Sequence, residues 1–103
     1  MVDKYIENGK VAVLVSPQYG AGWSSWSSGD VALSKLFDTD IVKALLYDGD
    51  VLEIADTKYP DDYNGGAEDL QIVWVDVGKR FRIHEYDGSE TLVLLNDEDY
   101  YTA

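Results

Sequence analysis

The sequence has no cysteine, one histidine, two prolines, one methionine and only eight basic residues among 103. Without cysteine there can be no disulfide framework, no thiolate zinc site and no thiol nucleophile. The single histidine, His84, leaves no room for an H-E-x-x-H metal helix. No G-x-S-x-G elbow and no Walker lysine is present. No apolar run approaches the roughly 20 residues that span a bilayer. Residues 1–10 lack the basic start and apolar block of a secretory leader. These absences predict a cytoplasmic, membrane-free, non-enzymatic chain that needs no cofactor or metal.

What is present in excess is acid. Twenty Asp and Glu residues against eight Lys and Arg give a net charge of −12 and a pI near 4.1. Such a chain is repelled by nucleic acid and by anionic membranes, which argues against direct DNA or RNA binding and for a basic partner surface. Apolar residues make up 46% of the chain, enough for one small core, so residues 1–103 read as one compact domain.

Asn8-Gly9 between KYIE and KVAVLV predicts a two-residue hairpin joining strands at about 4–7 and 10–15. The second strand is apolar on both faces and should be covered on both. Three short helical segments follow. DVALSKLF (30–37) has Asp30 as its expected N-cap. DIVKALLYDG (40–49) is capped by Asp38 or Thr39 and closed by Gly49 at C′. DVLEIADTKYP (50–60) is capped by Asp50. Their spacing turns Val31, Leu33, Leu36 and Phe37, then Ile41, Val42, Leu45 and Leu46, then Val51, Ile54 and Ala55 inward. Strands at about 70–77, 80–86 and 90–95 form a meander, with turns at Gly78-Lys79 and Asp87-Gly88. Ile72, Trp74, Phe81, Ile83 and Val93, or their opposite-face neighbours, would supply the sheet's share of the core. The acidic tail 96–103 is expected to be frayed or draped on the surface. The fold class is therefore α+β: an antiparallel sheet of about five strands, with a two- to three-helix insertion between strands 2 and 3.

Three features could carry function. The first is SPQYGAGWSSWSSGD (16–30), where Tyr19, Trp23 and Trp26 stand among glycines and serines. Large amphipathic rings suit a partner contact or a stacked ligand, and glycines allow close backbone approach. The alternative is that one or both tryptophans fold back onto the core. The second is an acidic belt: ten acids and two lysines lie between Asp38 and Asp69. With apolar side chains turned inward, Asp48, Asp50, Glu53, Asp56, Asp61 and Asp62 should face out, either as a solvated helical surface or as an imitation of a phosphate backbone. Their spacing lacks the pattern of a calcium loop. The third is the cationic strip Lys79, Arg80 and Arg82, which leads into His84 on one strand face. It reads as an offset to nearby acids such as Glu85, Glu90 or the tail, or as a small anion site.

VAVLVSPQYGAGWSSW and FRIHEYDGSE resemble a kind of small acidic protein of bacteriophage and prophage origin. The resemblance brings no established activity and carries over no functional residue. It implies a phage-like setting, in which small acidic proteins often bind and block a host protein, CRISPR and other defence effectors included.

The sequence thus yields three expectations. The first is a phage-type inhibitor of a host nucleic-acid-handling or defence protein, acting from the bacterial cytoplasm. It would use the acidic residues together with Tyr19, Trp23 and Trp26. The second is a small-molecule domain in which those rings stack on a nucleotide-like ligand held by Arg80, Arg82 and His84. The third is a virion or assembly component.

Overall fold

A computed structural model describes residues 3–20, 22–62, 64–95 and 101–102. The class is α+β. The order is β1 (Ile6–Glu7), β2 (Lys10–Val15), α1 (Gly29–Phe37), α2 (Thr39–Leu46), α3 (Val51–Lys58), β3 (Gln71–Asp76), β4 (Arg80–Tyr86), β5 (Ser89–Leu95) and β6 (Tyr101–Thr102). Short 3-10 turns at Ser24–Trp26 and Gly65–Asp69 precede α1 and β3.

The strands form two antiparallel sheets rather than one. The first runs β1-β2-β3 and the second β5-β4-β6. Turn chemistry explains where the expected meander divides. Asn8-Gly9 (φ 54° and 76°) and Asp87-Gly88 (φ 50° and 86°) each place two residues at positive φ. That geometry matches strand twist and closes tight hairpins. At the β3–β4 junction only Gly78 has positive φ (87°), and the Lys79 N–H donates to the Asp76 carbonyl at 3.0 Å. This is the pattern of a type II turn, which splays its flanking strands. β3 therefore returns to β2, with Val13 opposite Val73, and β4 begins a second sheet with β5. In the tail, Tyr101–Thr102 pairs with Arg80 and Phe81 of β4. Residues 96–100 and Ala103, also part of the tail expected to fray, lie outside the described residues.

β2 is covered on both faces, as its composition predicts. Ala12 and Leu14 pack with Trp23, Ile41, Val42, Ala55 and Leu70 beneath α2 and α3. Val11 and Val13 pack with Leu36, Phe37, Val75 and Phe81, so the end of α1 and the second sheet close the other side. The Phe37 and Phe81 rings meet edge-on at 6.2 Å. Ile72 and Ile83 are partly buried against these clusters, whereas Trp74, Val31 and Leu46 are exposed rather than core.

Only Asp38 separates α1 from α2, so the two form one bent rod and α3 folds back against it. Asp38 caps α2 by accepting from the Asp40 and Ile41 N–H groups (3.0 and 3.1 Å). Asp50 caps α3 through the Glu53 N–H (3.1 Å). Two expected ends shift. Ser28 holds the N-cap position of α1, which puts Asp30 inside the first turn. After α2 the positive φ belongs to Asp48 (58°), not Gly49, and the Gly49 N–H closes on the Ala44 carbonyl at 2.7 Å. That is a Schellman closure with Asp at C′.

Candidate functional site

The aromatic loop is built around a carboxylate from the far end of the chain. Glu90 is 3% exposed. Its Oε1 accepts the Ser16 N–H (2.9 Å), and its Oε2 accepts the Trp23 N–H (2.7 Å), the Ser25 N–H (3.0 Å) and the Ser25 hydroxyl. The Glu90 N–H returns a bond to the Ser16 carbonyl at 2.8 Å. Nearby, Gly20 N–H donates to the Asp87 carbonyl and the Ser89 hydroxyl to the Pro17 carbonyl, both at 2.7 Å. The loop thus has the converging donors of an anion site, and its anion is Glu90. Gly22 is required for this wrap: a Cβ there would come within 2.6 Å of the Trp26 ring.

The same loop closes over a buried cation. Trp23 is fully buried and donates its indole N–H to the Lys35 carbonyl in α1 at 2.7 Å. The Lys35 ammonium, 1% exposed, lies 4.6 Å from the Trp23 ring centroid and 5.4 Å from that of Tyr59. Asp62 pairs with it at 3.1 Å and accepts the Ser27 hydroxyl at 3.0 Å. Lys35 and Ser27 hold the Asp62 carboxyl below its ordinary range.

Tyr59 links this cage to the helix joint. Its hydroxyl donates to Asp38 at 2.7 Å and meets the Ser34 hydroxyl at the same distance. Lys58 reaches Asp38 at 3.1 Å and Asp40 at 2.7 Å. Burial, together with the nearby Asp38 carboxylate, pushes the Tyr59 phenol up to about 12. A tyrosine whose folded pKa exceeds its unfolded value near 10 stabilises the protein fully below pH 10. That contribution is lost as pH rises from 10 to about 12. An absorbance titration of the phenolates should show a component near 12, and Tyr59→Phe should remove it.

The remaining candidates separate into two groups. Trp26 is 45% exposed; its indole N–H donates to Glu85 at 3.1 Å. The Gly88 N–H and this indole hold the Glu85 carboxyl below its ordinary range. Trp26 shares a hollow of about 380 Å³ with Val31, Asp62 and the serines 25, 27 and 28. Tyr19 is exposed at the loop tip, edge-on to the exposed Tyr86 at 6.3 Å. Arg82 and His84 share the outer face of β4 with Tyr86, opposite in sense to Glu85. The proposed ligand set of Tyr19, Trp23, Trp26, Arg80, Arg82 and His84 is therefore brought together only in part: Tyr19 lies against Tyr86 on the Arg82–His84 face, whereas Trp23 and Trp26 do not. Trp23 is in the core, Trp26 keeps company with Glu85, and the loop's amides are taken by Glu90. Glu85 and Glu90 are likewise engaged by the loop.

No family model, curated protein or solved structure matches the chain.

The acids divide by use. Asp38, Asp62, Glu85 and Glu90 hold the fold together. Asp48, Asp50, Glu53, Asp56 and Asp61 are exposed on α3 and the turns at its two ends. Asp50, Glu53 and Asp56 recur every third residue, so the cap and the helix carry them along one side, rising about 4.5 Å per step. Asp56 also accepts the Asn64 amide at 3.2 Å. Beside this row a groove of about 410 Å³ opens between α2 and α3, lined by Asp40, Lys43, Glu53, Ile54, Thr57 and Lys58. Among the described residues, no group of three or more His, Asp or Glu side chains is placed to hold a metal ion, and no helix is long and apolar enough to cross a membrane.

The sequence reading missed Lys35, Tyr59 and the role of Glu90. Each had a faint signal. Lys35 lies three residues from Ala32 and next to Leu36, inside the apolar stripe of α1. Glu90 alternates with Leu92, which puts a carboxylate on the inward face of β5.

Proposed function

We propose that this chain is a non-enzymatic binding protein that docks its acidic α3 side on a basic, nucleic-acid-handling host protein and blocks it. The observation that carries this reading is the division of the acids. Asp38, Asp62, Glu85 and Glu90 are engaged around the loop and the helix joint, while Asp48, Asp50, Glu53, Asp56 and Asp61 stay exposed on α3 and its flanking turns, Asp50 and Asp56 each with one local hydrogen bond. A helix held by a cap and a packed inner face fixes the spacing of its charges, which favours recognition over mere solubility. Trp26, beside Asp62 at the end of the same acidic stretch, offers an aromatic anchor. The resemblance to small acidic phage proteins supports a host defence effector as the target.

The test is affinity capture from a bacterial host, followed by titration of the captured protein. Glu53→Lys with Asp56→Lys should weaken binding about thirtyfold, taking about 1 kcal/mol for each interfacial charge. Asp50 is left in place because its loss would also uncap α3. Raising salt should weaken the complex as well. Affinity indifferent to both changes would sink the reading.

A further inference from the structure

We infer that the outer edge of β3 is a docking strand for an extended, basic segment of the protein partner, with Trp74 receiving one of its cationic side chains. This rests on the reading above that the partner is basic.

Hydrogen-bond parity identifies the exposed edge. The Ala12 N–H donates to Tyr5 across the β1 side, and the Val77 N–H donates to Gly9 from the β3 side. Even-numbered residues of β2 therefore direct their backbone groups to β1, and Val11, Val13 and Val15 direct theirs to β3. Their partners Val75, Val73 and Gln71 are satisfied in return. Ile72 and Trp74 are left with N–H and C=O groups pointing away from the sheet, as is the Asp76 N–H, the Asp76 carbonyl being taken by Lys79. Among the described residues, no strand pairs with that side. Edges of this kind are usually blunted by proline, lysine, a bulge or brevity. β3 has six residues, an unbroken register, and neither proline nor lysine.

Of these three residues, Trp74 projects toward a concave surface. A hollow of about 460 Å³ is lined by Glu7, Asn8, Lys10, Leu46 and Trp74. Ala12, small and directly opposite Trp74, lets the Tyr5 and Trp74 rings approach across β2 to 6.2 Å. In the next row Lys10 pairs with Asp76 at 3.7 Å and stands opposite Glu7.

A strand added beside β3 would place a side chain directly across from the Trp74 indole, one row from the Asp76 carboxylate. Arginine or lysine fits that setting, by stacking on the ring face and by charge. Asp69 and Asp76 bracket the edge with negative charge. In a chain of net −12 that disfavours a second copy and favours a cationic strand.

The test uses the full chain and three eight-residue peptides: alternating arginine and valine, alternating glutamate and valine, and the arginine peptide N-methylated at alternate residues. Amide exchange is followed by NMR. The arginine peptide should slow exchange at Ile72, Trp74 and Asp76 at least tenfold, and the glutamate peptide should leave it unchanged. N-methylation, or Trp74→Leu with the melting temperature retained, should weaken binding at least tenfold.

Absence of binding, binding without protection of those three amides, or indifference to N-methylation would overturn the inference. So would protection that grows with protein concentration alone, which would make a second copy the occupant. The acidic-face reading is separable. Failure here while Glu53→Lys with Asp56→Lys still weakens the captured partner removes only the edge. Protection by the peptide while that pair is silent removes only the face.

Discussion

Replacing Glu90 with alanine should lower the melting temperature by about 15 °C or more. The carboxylate accepts three backbone N–H groups and one hydroxyl, and no water or cation is needed to explain its burial. Removing it strands buried donors at Ser16 and Trp23, at about 1–3 kcal/mol each, and also loses charge-assisted bonds. A total near 3–5 kcal/mol follows, and a domain of this size shifts about 4–8 °C per kcal/mol. Glu90→Gln is the sharper variant. Its amide has one oxygen for two groups of donors, so one side must face an NH₂. A loss of about 2 kcal/mol, between wild type and alanine, should appear in urea unfolding. Tryptophan fluorescence should report loosening of the loop in both. If Glu90→Ala melted within a few degrees of wild type, the carboxylate would not be what organises residues 16–28.

The second large effect lies at Lys35. Lys35→Ala should cost about 3 kcal/mol, because it leaves a void between Trp23 and Tyr59 that the cage cannot fill. Lys35→Met should cost under about 1.5 kcal/mol. The thioether chain fills nearly the same space, and Asp62, about one-third exposed, can return to water. The contrast decides whether the residue acts through volume or charge. Equal losses in the two variants would mean that the Asp62 pairing and the ring contacts outweigh packing, against the usual balance for a buried ion pair.

The contrast between these residues and the acids of α3 shows what could be read from sequence. Asn8-Gly9, the caps at Asp38 and Asp50, the two-faced apolarity of β2 and the helices between β2 and β3 were all legible, because each depends on a few neighbouring residues. The split into two sheets was not. It turns on whether Gly78 alone or a pair of residues takes positive φ, and on what β3 finds more favourable to pair with. Trp23 and Trp26 stand three apart in similar company, yet one is core and the other surface. What separates them is Lys35 and Glu85, which arrive from elsewhere in the chain. The candidate site was half legible for the same reason. Outward acids on a helix follow from its periodicity, whereas the Glu90 and Lys35 partnerships join residues far apart in sequence.

The contact between Glu90 and the loop also sets an order of events during synthesis. Trp23 and its carboxylate partner are 67 residues apart. At about 5–20 residues per second, the loop waits roughly 3 to 13 s after it is made before the hairpin that secures it exists. Throughout that interval Trp23 lacks its anchor and β2 lacks the cover of β4 on one face. A nascent chain is therefore most vulnerable to proteases and most in need of a chaperone before Glu90 leaves the ribosome. Any truncation ahead of Ser89 makes that vulnerable stage permanent.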